Sequence, residues 1–167
     1  MREVPARLRG YARSFNKADL RIVLLLDRDR DDCKILKQRL EGAAHEAGLP
    51  TRSRPHPSGQ VSVLTRIVVV ELESWFLGDP DALTAAFPKL GSLNPAKPPL
   101  RDPDQGTWEA LERLLQRGGY PGRYAKIAGA RRIAANMEPA RNASPSFQSF
   151  RQGLHDLLAG PSGLRAD

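Results

Sequence analysis

Two segments of the chain are aliphatic, and each is followed by acidic residues and then by apolar positions at helical spacing. The first runs from Leu20 to Leu26 and enters an acidic turn, after which apolar residues recur every three or four positions as far as Gly48. The second runs from Val61 to Val70 and precedes Glu71 and a short apolar helical face. This repeated order of buried strand, acidic turn and helix predicts an α/β fold with a mainly parallel sheet flanked by helices.

Polar residues mark the starts of further helices downstream. Asp79 followed by proline is typical of a helix start, and the helix it opens is predicted to stop at Pro88. Thr107 is predicted to cap a helix that ends at Gly118.

The C-terminal part is predicted to be helical as well. Helices are expected over 123–137 and from Pro145 onward, whereas the proline-rich stretch 91–106 is expected to be a loop over the surface. The length fits one domain over 1–160, with a frayed tail at 161–167.

The charge of the chain is strongly segregated. Its 167 residues carry a formal net charge of +7, with 26 Lys and Arg against 19 Asp and Glu. Much of the excess lies in one basic stretch, residues 117–151. A stretch of this kind can bind a polyanion such as nucleic acid, but a solvated basic surface explains it equally well. The basic side chains between 117 and 151, opposed by Glu138 alone, are Arg117, Arg123, Lys126, Arg131, Arg132, Arg141 and Arg151.

The sequence favours a cytoplasmic protein that does not enter a membrane. Its longest aliphatic runs are far shorter than the roughly 18 residues that cross a bilayer. The N-terminal residues lack the apolar segment of a secretory signal. Cys33 is the only cysteine, which excludes an intramolecular disulfide.

The acidic turn is a candidate metal site. Asp27, Asp29, Asp31 and Asp32 lie within six positions directly after a strand, where a cation would relieve their repulsion. Carboxylate oxygens suit Mg²⁺, and the carboxyl end of a strand is where α/β folds bind ligands. Metal binding is favoured for Asp27 and Asp29, whereas helix capping is favoured for Asp31 and Asp32. The alternative is that the neighbouring arginines simply pair with these carboxylates.

Two familiar acidic motifs do not fit this turn. A calcium-binding EF-hand loop needs glycine at its sixth position and glutamate at its twelfth, where this chain has Asp32 and Gln38. A haloacid-dehalogenase phosphatase has a small residue and threonine after its first aspartates, where this chain has Arg30 and Asp31.

Residues after the second strand and in the basic stretch are further candidates. Glu71 can act as a metal ligand or general base if the two strands are adjacent, and Glu73 is a weaker candidate for the same role. Both also fit simple charge stabilisation at a helix N-terminus. Lys126, with nearby arginines, can hold a phosphate, although a solvated helix face explains those charges too.

Several blocks of residues together resemble a bacterial family, domain of unknown function 4276, over about Leu8 to Leu158. The blocks are Leu25-Leu26-Asp27-x-Asp29-x-x-Asp32-Cys33, Glu71-Leu-Glu-Ser-Trp-Phe-Leu-Gly-Asp79, Phe87-Pro88, Arg101-Asp-Pro-Asp104, Tyr124-x-Lys126-x-x-Gly-Ala-Arg131 and Asn142-x-Ser144-x-Ser146-Phe147.

The resemblance implies a Toprim-like, and hence Rossmann-like, domain of the kind found in topoisomerases, primases and nucleases. It implies that Asp27 and Asp29 hold Mg²⁺ or Mn²⁺. It also implies a catalytic Glu on an earlier strand, a motif that Glu3 does not match. Some family members are encoded beside an ABC-type ATPase in phage-defence systems, which implies an ATPase partner.

Three hypotheses follow. The leading one is a Mg²⁺-dependent nucleic-acid phosphodiester-cleaving domain in which Glu71 and Lys126 are catalytic. Its rivals are a non-catalytic module that docks on an ATPase and a simple nucleic-acid-binding domain; homodimerisation is left open. In the leading hypothesis Asp27 and Asp29 hold the metal, and the backbone is gripped by Lys126 together with Arg123, Arg131 and Arg132.

Overall fold

The computed structural model describes residues 3–14, 20–28 and 31–160. Helices alternate with strands in the N-terminal part, and helices alone follow. In chain order the elements are α1 (Val4–Ser14), β1 (Ile22–Asp27), α2 (Cys33–Glu46), β2 (Val63–Val68), α3 (Glu73–Leu77), α4 (Pro80–Ala86), α5 (Trp108–Arg117), α6 (Lys126–Ala134) and α7 (Pro145–Ala159).

Strands β1 and β2 pair with each other in a parallel sheet, which holds two strands within the described residues. The N–H of Ile22 donates to the Ser62 carbonyl at 2.8 Å, and the N–H of Arg28 donates to the Val68 carbonyl at 2.9 Å, so the register stays constant. With α2 as the crossover, this is a β-α-β unit. The predicted α/β class is confirmed, and so is the adjacency of the two strands. Their carboxyl ends therefore lie at the same edge of the sheet.

Local capping signals predict the starts of α2, α4 and α5 correctly. Within the described residues helix α6 has no capping side chain, and the prediction of a helix over 123–137 is too long: the helix begins at Lys126 and ends at Ala134. Each predicted capping side chain accepts a hydrogen bond from the first turn of its helix. These caps are Asp32 for α2, Asp79 for α4 and Thr107 for α5.

Residue contacts divide the chain into two compact units. The first takes its described residues from 1–26, 31–67 and 150–167, and the second from 27–30 and 68–149. The first has a small aliphatic core built on α1, α2 and β2. The second has a larger core that includes the buried side chains of Phe76, Leu77, Leu83, Leu111 and Ile133.

The proline-rich stretch 91–106 is only partly the surface loop that its composition predicts. It has little regular structure apart from a short 3-10 turn at Pro103–Gln105. Leu100, however, is buried in the core of the second unit, because this apolar side chain packs against the helices there. The predicted tail at 161–167 lies outside the described residues. No described helix has both the length and the apolar character needed to span a bilayer.

Candidate functional site

Asp27 is the last residue of β1, and its side chain is exposed at the carboxyl edge of the sheet. The strand is held there by the hydrogen bond from Arg28 to Val68, the last residue of β2. From that point the second strand leads within a few residues to Glu71 and Glu73. Both acidic segments that the sequence singles out thus start from one edge of the sheet.

Glu71 is partly buried and accepts a hydrogen bond from the start of α5. Its Oε2 lies 2.9 Å from the backbone N of Trp108. Because the first N–H groups of a helix have no partner within the helix, a carboxylate is favourable at this position. Glu71 therefore has a structural partner in addition to any chemical role.

Glu73 is the most deeply buried acid of this region, with 7% of its surface exposed. Burial raises the pKa of its carboxyl, and the negative charges of Glu71 and Asp27 raise it further. Its own backbone N–H and the charge of Lys126 oppose this shift without cancelling it. Asp27, Glu71 and Lys126 thus all lie within electrostatic reach of one buried carboxyl, whose pKa is raised above its ordinary value.

Lys126 begins helix α6 and is exposed. Its Nζ lies 4.7 Å from the centroid of the Trp108 ring, a cation–π distance. The ring positions the ammonium near the acidic residues while leaving it accessible to solvent. A lysine held in this way can meet a phosphate at the surface.

Tyr124 lies within electrostatic reach of Glu73, and its side chain is buried. Its hydroxyl has no hydrogen-bond partner among the described residues. Burial raises the pKa of this phenol, and the charge of Glu73 adds to the effect, so the hydroxyl stays protonated. Gly129 gives the ring room, because a Cβ there would lie 2.2 Å from Cε2 of Tyr124.

The predicted phosphate-binding arginines are all exposed but are only partly brought together. Arg123 and Arg132 line one cavity of about 260 Å³ in the second unit, and Arg131 is not among its lining residues. The guanidinium carbon of Arg132 lies 4.9 Å from the centroid of the Phe87 ring. Arg131 follows on α6, whose sequence contains no acidic residue.

The chemistry of these donors fits Mg²⁺, which prefers hard oxygen ligands. Within residues 3–14, 20–28 and 31–160, no three His, Cys, Asp or Glu side chains converge as a metal cluster. Mg²⁺ is usually held by one or two carboxylates completed by water and substrate phosphates, so a smaller set is compatible with it. Asp27 is the described candidate ligand, and Asp29 lies outside the described residues.

A comparison with protein-family models finds a match over residues 4–155 to "Domain of unknown function (DUF4276)". The chain belongs to the DUF4276 family. No curated protein and no solved structure matches it.

Residues of the blocks that resemble DUF4276 build a partly buried hydrogen-bonded framework in the second unit. Asp104 accepts from the Ser144 hydroxyl at 2.5 Å and from the backbone N–H of Ser146 at 3.0 Å. The Ser146 hydroxyl accepts from the indole N–H of Trp75 at 2.9 Å. The amide of Asn142 donates to the Trp75 carbonyl at 2.7 Å. These particular residues therefore hold the scaffold of the second unit together, whereas the candidate reactive groups of the same blocks are the acids and Lys126.

Asp79, the last residue of the Glu-Leu-Glu-Ser-Trp block, is also structural. Its side chain is fully buried and accepts from Nε and Nη2 of Arg141 at 2.9 and 3.0 Å. It also accepts from the backbone N–H groups of Ala82 and Glu138. A buried carboxylate with this many donors stays ionised.

Sequence reasoning gives Glu73 too little weight and does not single out Trp108 or Tyr124 as site residues. In sequence, an acid in the first turn of a helix looks the same whether it is exposed or buried. Glu73 is buried here, together with the other four residues of α3. The ring beneath the Lys126 ammonium belongs to Trp108 of α5, 18 positions earlier, so only the fold brings the two together.

Proposed function

We propose that this DUF4276 member is a Toprim-like domain that cleaves nucleic-acid phosphodiester bonds with Mg²⁺ or Mn²⁺. The observation that carries the proposal is the buried Glu73 carboxyl, on which Asp27, Glu71 and Lys126 all act electrostatically. Acids with raised pKa values beside an exposed cation, at the carboxyl edge of a sheet, are typical of catalytic sites.

In this proposal the candidate residues have different roles in cleavage. Asp27, with Asp29, holds the metal, which when bound stabilises the charge that develops on the attacked phosphate. Glu73, or Glu71 beside it, accepts or donates the proton that moves between water and the leaving oxygen. Lys126 holds a phosphate oxygen from its position above Trp108.

The partner surface in this proposal is the basic segment around α6. Arg123, Arg131 and Arg132 are exposed there and would contact the nucleic-acid backbone without reading its sequence. The family resemblance adds an ABC-type ATPase partner and a role in phage defence, with this chain as the effector in the cytoplasm.

A cleavage assay tests the proposal. Labelled DNA and RNA are incubated with Mg²⁺ and with the wild-type chain, Asp27→Asn, or Asp102→Asn as the matched control, because Asp102 is an exposed carboxylate paired with Arg101. We expect Asp27→Asn to lower the cleavage rate on the order of 100-fold or more. The control should cleave like wild type. Full cleavage by a folded Asp27→Asn chain would contradict the proposal.

One observation favours a second function, binding of nucleic acid without cleavage. Helix α6 carries Lys126, Arg131 and Arg132, all exposed, and no acid. In that case the affinity falls steeply with salt and does not depend on Mg²⁺. Arg131→Gln combined with Arg132→Gln should then reduce the slope of log affinity against log salt by about 2. Binding that requires Mg²⁺ would instead support the catalytic proposal.

A further inference from the structure

A second cavity, of about 190 Å³, opens within the first unit, and none of its lining residues is a candidate of the site described above. Its walls come from α2, from β2 with the segment before it, and from the C-terminal half of α7. One part of the wall is aliphatic and includes Val61, Val63, Leu64 and Leu157. The other part is charged and includes Lys37, Glu41, Arg52, Arg66 and Asp156.

The two acids of this cavity already have donors within the protein. Oε1 of Glu41 accepts from the Thr65 hydroxyl at 2.9 Å, and its Oε2 accepts from the Ser53 hydroxyl. Oδ2 of Asp156 accepts from Nη1 of Arg52 at 2.9 Å. Its Oδ1 accepts from the Gln152 amide at 2.8 Å. The carboxylates are thus satisfied, while the cations of the cavity outnumber them by three to two.

Arg66 is held in a fixed position in the wall. Its Nη1 donates to the Thr65 carbonyl at 3.0 Å. Gly153 of α7 leaves room for the guanidinium, because a Cβ there would lie 2.4 Å from Nη2 of Arg66. Burial lowers the pKa of Arg66 and the positive charge of Arg52 lowers it further, while the negative charges of Asp156 and Glu41 oppose this shift without cancelling it. A further anion placed beside both guanidinium groups would be stabilised by the cations that are in excess here.

We propose that this cavity binds a small molecule that carries a phosphate or carboxylate group on a short aliphatic body. Guanidinium groups bind both oxyanions through paired N–H donors, and Lys37 adds a third cation at the exposed rim. The aliphatic wall removes the body of the ligand from water. The charged end and the apolar end of the ligand thus each meet a matching wall.

The test is calorimetric titration with three probes that share one chain length: hexyl phosphate, hexanoate and hexanol. We expect at least one of the two anionic probes to bind one site per chain and hexanol to bind much more weakly. The stronger of hexyl phosphate and hexanoate identifies the anionic group. Arg52→Gln and Lys37→Gln should each weaken binding, Arg52→Gln by about tenfold or more, because a charge-assisted hydrogen bond is lost. Both side chains are more than half exposed, so these variants should fold.

Two further variants serve as controls. Arg39→Gln removes an exposed cation of α2 that does not line the cavity, and it should bind like wild type. The double variant Arg131→Gln, Arg132→Gln removes charge from α6 and should also bind like wild type. The proposal is wrong if neither anionic probe binds, if hexanol binds equally well, if Arg52→Gln has no effect, or if only the α6 variant abolishes binding.

Discussion

The backbone N–H of Trp108 donates a 2.9 Å hydrogen bond to Oε2 of Glu71. This bond ties the acid that follows β2 to the first residue of α5, whose ring in turn lies under the ammonium group of Lys126. Glu71 thus helps to position Lys126 through Trp108 of α5, although α5 is distant in sequence from Glu71. A loss of activity in a Glu71 variant can therefore have two causes: the loss of a reacting carboxyl, or a displaced Lys126.

Substitutions at Glu71 separate these two roles. Glu71→Gln keeps a side-chain oxygen that can accept from Trp108, whereas Glu71→Ala leaves that N–H without its acceptor. We expect Glu71→Ala to lower the free energy of unfolding by about 1 kcal/mol more than Glu71→Gln does, measured by urea denaturation. If Glu71 acts in proton transfer, Glu71→Gln should be stable but inactive. Equal stability of the two variants would mean that the bond to Trp108 contributes nothing.

Gly78 is required by close packing against the framework of the second unit. A Cβ there would lie 2.3 Å from Oδ1 of Asn142 and 2.9 Å from the backbone N of Ser144. We expect Gly78→Ala to lower the free energy of unfolding by about 1–3 kcal/mol. Gly42 lies in α2 with nothing within 4 Å of its added Cβ, so Gly42→Ala should raise it by about 0.5–1 kcal/mol. Thermal or urea denaturation of both variants checks the contrast, and a neutral Gly78→Ala would refute it.

The buried carboxylate of Asp79 is expected to stabilise the second unit strongly. Asp79→Ala removes the acceptor for Arg141 and for two backbone N–H groups, one of them at the start of α4. We expect a loss of about 3 kcal/mol in the free energy of unfolding. Asp102→Ala breaks an exposed pair with Arg101 and should cost no more than about 1 kcal/mol. Similar losses for the two variants in urea denaturation would contradict the assignment.

Two acids should make the free energy of unfolding depend on pH, and they act in opposite directions. Burial alone would raise the pKa of Asp79, but the hydrogen bonds from Arg141 and from two backbone N–H groups outweigh it and hold the pKa below its ordinary value. The unfolded state thus takes up this proton more readily, so stability is full above about pH 4 and is lost as the pH falls further.

Glu73 acts in the opposite direction, because its pKa is raised in the folded state, mainly by burial. Its contribution is fully present below about pH 4.3 and is lost as the pH rises through the folded pKa. Urea denaturation across this range should show that the free energy of unfolding falls as the pH drops below about 4, and this fall should be weaker in Asp79→Asn. The fall in the free energy of unfolding as the pH rises should be absent in Glu73→Gln. Unchanged profiles in both variants would show that neither acid is linked to folding.

The parts of the fold that the sequence predicts well are those set by neighbouring residues. Asp32, Asp79 and Thr107 mark helix starts because a capping side chain bonds to N–H groups two or three positions away. The two strands are evident from their aliphatic runs, and Asp27, the last residue of β1, lies at the carboxyl edge of the sheet.

The parts that the sequence does not predict depend on distant contacts. Asp104 bonds to Ser144 and Ser146 across some 40 positions, and no local pattern indicates this. The burial of Glu73 is likewise invisible, because in sequence it resembles any acid in a first helical turn. The framework role of the Ser-x-Ser block and the raised pKa of Glu73 therefore emerge only from the fold.

The proposed function requires that Asp27 holds a divalent cation beside the Glu73 carboxyl. Calorimetric titration of Mg²⁺ into the wild-type chain, Asp27→Asn and the Asp102→Asn control measures this binding. We predict one Mg²⁺ per chain for wild type and control, with binding weakened by about tenfold or more in Asp27→Asn. Failure of the wild-type chain to bind Mg²⁺, or equal binding by Asp27→Asn, would contradict the account.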